Sequence, residues 1–477
     1  MVRFLRVLVL VLCMCPALAQ EPTIAWGPEI PHNSRNLNQL QVIGTGSENS
    51  FYTRYTENRQ ITLERYNRSN QRVWSIAIAP LSPEGKRAAF EELVVLNHQI
   101  YLLSSVTENY RKIIYAQQID AKGNYMPAIH TLASTTPDAT IHAQTRETRL
   151  LLILQQKAEP QQTDVMLYQG SFKPSWTAEL HLKGLIKEMQ ISATGNIFVL
   201  SELPASNSPE AAFFLYRFDG RSGRNTIQPV GSTALRPLQA KMEIMNEDLI
   251  VAGLTVPAPF VASLAPEPTG TFYYRFPKGR FRNYIHHYAP IDSLFLHDYK
   301  AYKPDKDHSQ RLRYLQLQHL LPLNSNHTVL LGEVYTLDRN QHHTDDVLLF
   351  AFDQNGEALY TASANKHQTG DVNQVRLGSY IATTAQDTVK LIYLDFEYNY
   401  NEQDEIMIAT SRAVLKTPVL AKVAPDGKIT VRPLRNTQTG RHQDFYLVPT
   451  SAYKINNKEF IVLGSGIGYY KFGKLKF

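Results

Sequence analysis

Short apolar runs separated by polar turns recur along this 477-residue chain. In residues 345–364, DDVLLFAFDQNGEALYTASA, the apolar run 347–352 meets the polar turn 353–356, and a half-alternating run follows. This pattern is typical of a β-hairpin with a glycine-bearing turn. Variants of it recur at residues 61–78, 112–132, 164–182, 212–230, 271–288 and 418–433.

Most of these hairpins are preceded by two further apolar segments, which gives four strands per unit. The second strands, such as IYLLSS, RLLLIL and VLLGEV, are almost continuously apolar, as expected for strands covered on both faces. Repeated four-stranded units are the plan of a β-propeller. The predicted blades are 39–78, 91–133, 140–182, 187–230, 238–288, 313–362, 375–434, and 445–477 completed by 23–30.

The two ends of the chain predict how the ring closes. Trp74, Trp176 and Tyr360 hold matching places in the fourth strands of their units. Trp26, like the other two tryptophans, is followed four positions later by an aliphatic residue. The last unit, 445–477, supplies three strands and lacks a fourth. The N-terminal strand therefore completes the C-terminal blade, which removes exposed sheet edges.

Two structural alternatives stay open from the sequence. Seven blades are compatible with the pattern because region 238–312 is irregular. A β-helix or a pair of β-sandwiches would also use many short strands. The chain is long for eight blades, and the excess falls in residues 256–270, 291–313 and 399–416.

The first 19 residues predict a signal peptide. Arg3 and Arg6 form a positive start, residues 7–15 are apolar, and residues 17–19 are an Ala-Leu-Ala cleavage sequence. The apolar stretch is too short to span a bilayer. We therefore expect export to the periplasm or the extracellular space, with one propeller domain over residues 20–477.

Both cysteines, Cys13 and Cys15, lie inside this signal segment, so the mature chain contains no thiol or disulfide. Leu12 and Met14 precede them, whereas lipidation needs a small residue at that place. A lipoprotein is accordingly disfavoured.

The charge balance excludes some partners. With 49 basic and 43 acidic residues the net charge is +6 at pH 7, which is too small and too dispersed to indicate nucleic acid or anionic membranes. No segment after the signal is apolar over the length of a transmembrane helix. We expect a monomer whose partner is an envelope or extracellular protein or glycan.

The second half of the chain, about residues 315–477, resembles a group of exported proteins of unknown function from Bacteroidota. The resemblance lies in LLPLNSNHTVLLGEVY, DVLLFAFDQNGEALYTASANKHQ, VLAKVAPDGKITVRPL and the closing YKINNKEFIVLGSGIGYYKFGKLKF. It implies an exported, propeller-like fold, and it brings no catalytic residues with it.

Histidine is concentrated in one region, since eight of the fifteen fall within residues 286–343. Histidine and aspartate together can bind a divalent metal ion, although no fixed ligand spacing such as H-E-x-x-H is present. The alternative is a set of polar loops at one rim of two adjacent blades. The candidate ligands are His286, His287, His297, His308, His342 and His343. The sequence indicates no other cofactor.

A second polar segment, residues 395–405, combines aromatic residues with carboxylates, which can bind sugars or calcium. It lacks EF-hand spacing, so a solvated connection after a strand is the favoured interpretation.

No phosphate-binding loop, zincin helix or nucleophile elbow is present. The sequence therefore favours an exported, non-catalytic propeller that binds a protein partner or another ligand. The alternative is a polysaccharide- or peptide-cleaving enzyme with its site in the central channel. Glu188, Glu243 and His319, on predicted first strands, are the residues that would support it.

Overall fold

A computed structural model describes residues 21–32, 39–157, 162–170, 172–203, 212–232, 234–258, 266–301, 312–338, 341–371, 377–396, 399–400, 416–434 and 445–477. The predicted signal peptide, residues 1–19, lies outside these ranges. The described residues form eight antiparallel sheets. No described helix is long and apolar enough to cross a membrane.

From the third strand onwards the strands follow in chain order, four to a blade, except that blade 6 has a fifth strand and blade 8 takes its fourth strand from the N-terminus. The N-terminal strands are β1 (Thr23–Trp26) and β2 (Ile30–Pro31). Blades 1 and 2 are β3 (Gln41–Thr45), β4 (Phe51–Glu57), β5 (Gln60–Tyr66), β6 (Arg72–Ala77), β7 (Ala89–Leu96), β8 (Gln99–Glu108), β9 (Arg111–Ile119) and β10 (Tyr125–Thr135). Blades 3 and 4 are β11 (Thr140–Arg146), β12 (Arg149–Gln155), β13 (Gln162–Gln169), β14 (Pro174–His181), β15 (Leu185–Ile191), β16 (Ile197–Glu202), β17 (Phe213–Phe218) and β18 (Asn225–Val230).

The second half continues the plan with two additions. Blade 5 is β19 (Leu235–Met245), β20 (Asp248–Pro257), β21 (Gly270–Phe276) and β22 (Ile285–Pro290), followed by helix α1 (Ser293–Ala301). Blade 6 is β23 (Leu315–Pro322), β24 (Thr328–Asp338), β25 (Gln341–Phe352) and β26 (Ala358–Ala364), followed by β27 (Gln368–Asp371). Blades 7 and 8 are β28 (Tyr380–Ala385), β29 (Thr388–Phe396), β30 (Lys416–Val423), β31 (Ile429–Pro433), β32 (Phe445–Asn456), β33 (Glu459–Gly466) and β34 (Tyr469–Lys476). Short 3-10 turns lie at Ser47–Asn49 and Pro277–Gly279.

The eight sheets form a closed ring. The first strand of each blade contacts the first strands of both neighbouring blades, from β3 round to β32 and back. In blade 8 the strand order is β1-β34-β33-β32, and Ile24 on β1 lies opposite Leu475 on β34. The predicted closure and the prediction of eight blades are confirmed. The seven-blade, β-helix and sandwich alternatives are wrong, because the irregular region 238–312 contains a complete four-stranded blade.

The core lies between blades, as the continuous apolar second strands predicted. Leu150 to Leu154 on β12 are all 0% exposed, with alternate side chains packing against blade 2 and blade 4. Sheets stacked in this way bury both faces of their middle strands, which explains why the alternation of apolar and polar residues is lost there.

The two ends of the ring differ. One end, here called the turn face, carries the hairpins that join first to second and third to fourth strands, such as residues 97–98 and 120–124. The opposite end, the loop face, carries the connections from second to third strands and from each blade to the next. Helix α1 belongs to the loop face because it joins β22 to β23.

Blade 6 extends beyond the ring on the loop face. The pairing of β24 with β25 continues through Tyr335–Thr344 to Asp338–Gln341, past the end of β26, and β27 pairs with the far part of β25. This three-stranded extension, residues 335–338, 341–344 and 368–371, is called the blade 6 arm below. Closure of the ring does not require it.

Candidate functional site

The first strands line the central channel. Five of them carry a one-residue β-bulge at about the same distance from the start of the strand. The residues that follow the bulges are Gly44, Glu92, Glu188, Gln239 and His319, in blades 1, 2, 4, 5 and 6. Bulges change the direction of a side chain relative to a regular strand. Four of these five positions are polar, so the bulges bring polar groups to the inner wall.

Glu188 joins blade 4 to blade 5 on the inner wall. Its carboxylate accepts a hydrogen bond from the backbone N–H of Met242 at 2.8 Å and pairs with Lys241 Nζ at 2.7 Å. Arg146 makes the corresponding link from blade 3 to blade 4, since it donates to the carbonyl oxygen of Ile191 at 2.6 Å. These contacts connect Arg146, at the turn-face end of β11, and Glu188, in the middle of β15, to the first strand of the next blade.

Glu243 on β19 interacts with charges from three other blades. Burial raises the pKa of Glu243 to about 7, and the negative charge of Glu188 acts in the same direction, whereas Lys454 and Arg146 oppose it. Lys454 lies on β32 of blade 8, so its charge reaches Glu243 across the channel. Partial burial lowers the pKa of the Lys454 ammonium, and the charge of Glu243 opposes this shift, while the residue as a whole is exposed.

His319 faces the same group of charges from blade 6. Burial lowers the pKa of His319 to about 4, and the positive charges of Lys241 and Lys454 lower it further. The ring also packs edge-on against Tyr380 of blade 7, with centroids 5.6 Å apart. His319 is therefore neutral at physiological pH.

The resulting channel cluster consists of Arg146, Glu188, Lys241, Glu243, His319 and Lys454. It contains three cationic side chains and two carboxyl groups, one of which, Glu243, has a pKa of about 7. Such a cluster attracts anions, and a carboxyl group with a pKa near 7 can also exchange a proton.

The structure places Glu188, Glu243 and His319, which the sequence singled out on predicted first strands, in one electrostatic cluster. Arg146, Lys241 and Lys454 were missed, although Lys241 lies two residues before Glu243 and Arg146 directly follows the predicted first strand 140–145. Lys454 is harder to find, since the pairing of β32 is irregular between Val448 and Tyr453 and its register is not evident from the sequence.

The histidine-rich region does not converge on one point among the described residues. His286 and His287 lie on β22, His297 on α1, and His342 and His343 on β25, while His308 lies outside the described residues. The interpretation as polar loops is wrong for the four histidines that lie in strands.

These histidines have separate neighbours. His286 stacks on Tyr274 with centroids 5.8 Å apart, His297 Nδ1 lies 3.3 Å from the carboxylate of Asp298, and His342 bonds to the hydroxyl of Tyr335. No three His, Cys, Asp or Glu side chains of the described residues are grouped to hold a metal ion. A divalent metal site that includes His308 stays a prediction.

The carboxylate of the second polar segment is engaged within the fold. Asp395 accepts hydrogen bonds from the Tyr400 hydroxyl at 2.7 Å and from Asn399 Nδ2 at 3.0 Å, and burial raises its pKa. Residues 397–398 and 401–405 of this segment lie outside the described residues, so both the favoured solvated connection and the alternative of sugar or calcium binding stay predictions there.

The base of the blade 6 arm contains a buried polar network. Lys366 pairs with Glu333 at 2.5 Å, and the side chains are 0% and 2% exposed. The ammonium also donates to Thr344 O at 3.0 Å and to Gln368 Oε1 at 2.9 Å. Gln368 in turn donates to Leu394 O of blade 7 at 2.5 Å, which ties the arm to the next blade.

Helix α1 joins this network. The hydroxyl of Tyr299 donates to the Asp346 carboxylate at 3.0 Å, and the backbone N–H of Lys366 donates to the other oxygen of Asp346 at 3.2 Å. Phe295 and Leu296 pack against the core between blades 5 and 6. The helix and the arm are thus held together on the loop face.

Comparison with known proteins adds little to this description. No family model matches the chain, and no curated protein matches it. Among solved structures, the WD40 domain of SCAP from fission yeast is 10% identical, with a TM-score of 0.43 over 96% of this chain and 94% of that chain. The uncharacterised protein lmo1340 from Listeria monocytogenes EGD-e is 10% identical, with a TM-score of 0.36 over 80% and 93%.

A puromycin hydrolase mutant complexed with PGG is 11% identical, with a TM-score of 0.39. The match covers 89% of this chain and 58% of that chain. At these values none of the three supports an argument about function, and the propeller assignment depends on the sheet topology.

Proposed function

We propose that this protein is an exported, non-catalytic binding propeller that docks a partner protein of the cell envelope or extracellular space through its loop face. The observation that supports it best is the blade 6 arm together with α1. Both are additions to a ring that closes without them, and both are fixed to it by buried polar contacts.

The cost of the buried network supports a function for the arm. Removing an ammonium and a carboxylate from water costs several kcal/mol per ion before their attraction is counted. Lys366 and Glu333 are almost fully buried where the arm leaves the ring. A network of this kind specifies one position of the arm, as a docking surface requires.

Two large apolar side chains are exposed on these additions. Leu337 near the end of the arm is 58% exposed, and Leu294 at the start of α1 is 67% exposed. Exposed apolar side chains on a rigid element are suitable anchors for a partner. On the turn face, the turn of blade 2 is contacted by blade 1, since the Trp74 indole donates to Ala121 O at 2.8 Å.

Site-specific photo-crosslinking tests the docking face. A photoreactive residue at position 337 or 294 of the full chain should crosslink the same protein in the source cell. The control is position 227 on outer strand β18, where Ile227 is 47% exposed. With the purified partner, Leu337→Asp should weaken binding at least about tenfold, and Ile227→Asp should not. Absence of a shared crosslink, or equal affinity of the two variants, would reject the loop-face proposal.

Export is tested separately by fractionating the source cells and sequencing the N-terminus of the mature protein. A product that begins near Gln20 outside the cytoplasm supports the proposal. An intact N-terminus in the cytoplasm contradicts it.

The alternative is a polysaccharide- or peptide-cleaving enzyme acting in the channel. It is supported by Glu243, whose pKa of about 7 suits a general acid. The second carboxylate, Glu188, is already engaged by Lys241 and Met242, which argues against a two-carboxylate mechanism. Cleavage of glycan or peptide libraries by the wild type that is lost in Glu243→Gln would favour the enzyme. Equal cleavage by the wild type and Glu243→Gln would exclude Glu243 as a catalytic residue.

A further inference from the structure

We propose that one sector of the loop face contacts a lipid bilayer, into whose interface the hairpin tips of blades 8 and 2 insert Ile467 and Tyr110. This sector, called the tip sector below, comprises residues 57–60, 80–88, 108–111 and 466–468 of the adjacent blades 8, 1 and 2. Blade 1, its middle blade, lies opposite blade 5 in the eight-blade ring, so the sector is separate from α1 and the blade 6 arm. The inference goes beyond the protein docking proposed above and shares with it only the expected export.

Ile467 and Tyr110 are the two most exposed large apolar side chains among the described residues, at 98% and 93%. Each stands at the tip of a hairpin that joins the second strand of its blade to the third, on the loop face. Leu81, 48% exposed, lies on the same face in the connection from blade 1 to blade 2. None of the described turns of the turn face carries an exposed large apolar side chain. Single exposed apolar residues are common on proteins, but here the most exposed ones occupy the tips of one face only.

The turn that carries Tyr110 indicates that this side chain does not serve the stability of the fold. Asn109 and Tyr110 have φ of +49° and +61°, as in the type I′ hairpin turn, whose second position favours glycine. A bulky residue with a positive φ is strained, and Tyr110 gains almost no packing in return. The same position of other turns holds polar residues, namely Arg59, His98, Glu247 and Asp387. A strained and unpacked aromatic ring is explained if a binding partner buries it.

Contacts within the fold hold the tips together. Lys86, in the connection from blade 1, pairs with Glu108 at 2.6 Å, which ties this connection to the blade 2 hairpin. His32 donates its backbone N–H to Gly468 O at 2.9 Å, and its ring packs edge-on against Tyr55 of blade 1 with centroids 5.6 Å apart. The blade 8 hairpin is thereby linked to blade 1, and the tips are presented on one fixed platform.

The arrangement of the tips favours a lipid surface over a protein. Anchors of a protein interface cluster near its centre and fill pockets of the partner. Here the apolar side chains come from two hairpins of different blades and from the connection between blades 1 and 2. A fluid bilayer interface takes up each tip independently, so the tips need only lie on one face of the ring. Tyrosine is also enriched at the headgroup level of membranes.

Basic side chains accompany the tips. Apart from the ion pair of Lys86 with Glu108, the charged residues of the sector are Arg59, Arg87, Arg111, Glu57 and Glu84. Arg59 and Arg87 are exposed, and their guanidinium groups have no ionic partner among the described residues. Arginine binds phosphate oxygens with two parallel hydrogen bonds, and every phospholipid headgroup offers a phosphate. The sector can therefore bind a bilayer without the high net charge that a strongly anionic membrane selects.

Cosedimentation with vesicles tests the contact. The mature chain, residues 20–477, should sediment with vesicles of equimolar phosphatidylethanolamine and phosphatidylglycerol. Ile467→Asp and Tyr110→Asp should each weaken binding at least about fivefold, because each replaces an inserted apolar side chain with a charge. The controls are Ile455→Asp and His98→Asp, at the turn-face ends of blades 8 and 2. No sedimentation of the wild type, or equal losses in the controls, would overturn the proposal.

Tyr110→Gly separates binding from folding. Glycine relieves the strain at a positive φ, so this variant should melt at or above the wild-type temperature while it binds vesicles more weakly. Vesicle binding equal to that of the wild type would contradict the insertion of Tyr110.

A fluorescent label measures insertion directly. The mature chain contains no cysteine, so Ile467→Cys supplies a single thiol for the dye nitrobenzoxadiazole. Its fluorescence should rise several-fold on addition of the vesicles, whereas the same dye on Ile455→Cys should not respond. Unchanged fluorescence at position 467, or a photo-crosslink from this position to a protein with no binding of vesicles, would reject the lipid contact. Crosslinks from positions 337 and 294 do not depend on these results, so the two proposals fail separately.

Discussion

The indole of Trp176, on the fourth strand of blade 3, donates its N–H to the carbonyl oxygen of Gly220 in blade 4 at 3.1 Å. The same ring covers Gly223, which has a φ of +68°. The same arrangement joins blade 1 to blade 2, where the indole of Trp74 donates its N–H to Ala121 O at 2.8 Å. The aromatic residue of one blade thus holds the turn of the next, which couples neighbouring blades at the turn face.

This contact predicts that Gly223→Ala is destabilising. An added Cβ would lie 2.7 Å from Cε3 of Trp176, and the positive φ adds backbone strain. We expect the free energy of unfolding to fall by about 2–4 kcal/mol, measured by urea denaturation. Gly170→Ala is the matched control, because Gly170 has a φ of +66° with nothing within 4 Å. Equal losses in both variants would show that the indole contact contributes nothing.

Closure of the ring predicts the effect of removing residues 21–31. The deletion eliminates β1 and β2, exposes the edge of β34 and uncovers Leu475, which is buried beside Ile24. We expect a clear decrease in the melting temperature and increased self-association, measured by calorimetry and size-exclusion chromatography.

Glu21→Gln is the control for this deletion. It removes only the salt bridge of Glu21 with Arg432 at 2.8 Å, in which both side chains are more than a third exposed. Its effect should stay below about 1 kcal/mol. A deletion that melts at the same temperature as the full chain would contradict closure by the N-terminal strand.

Most of the ring could be predicted from the sequence because its determinants are local. The glycine turn at residues 353–356 and the apolar run of β12 each identify a strand or hairpin without knowledge of distant contacts. The place of Trp26 on the fourth strand was also evident. Its contacts were not, since Phe445 packs edge-on against the indole with centroids 4.9 Å apart and Lys471 lies over the indole at 5.8 Å.

The channel cluster could be predicted only in part, because it depends on register around the whole ring. Glu188 and His319 follow β-bulges, which no turn residue announces. Lys454 acts on Glu243 from three blades away. The blade 6 arm was not predicted either, since residues 341–344 look like a polar loop until β27 pairs with them.

The buried ion pair at the base of the arm predicts that substitutions of its two residues have strongly non-additive effects on the free energy of unfolding. Lys366→Met leaves the Glu333 carboxylate buried without its cation, and we expect a loss of about 3–5 kcal/mol in unfolding free energy. Glu333→Gln should cost a similar amount. The double variant should recover much of the loss, because neither charge is then buried alone.

Denaturant unfolding of the wild type, the two single variants and the double variant measures this coupling. Lys86→Met is a suitable control, since Lys86 pairs with Glu108 at 2.6 Å on the exposed surface. If the losses of unfolding free energy in the two single variants simply add in the double variant, Lys366 and Glu333 do not interact as a buried pair.

His319 predicts a pH dependence of stability with a definite sign. Its pKa in the folded protein is about 4, below the ordinary value near 6.5. The unfolded chain therefore binds the proton more readily, so the contribution of neutral His319 is present above about pH 6.5 and is lost as the pH falls towards about 4. Over this window we expect the wild type to lose on the order of 1–3 kcal/mol relative to His319→Gln. The control is His98→Gln in an exposed turn, whose stability should follow that of the wild type at every pH. Parallel curves of stability against pH for the wild type and His319→Gln would show that the channel does not keep the His319 imidazole neutral.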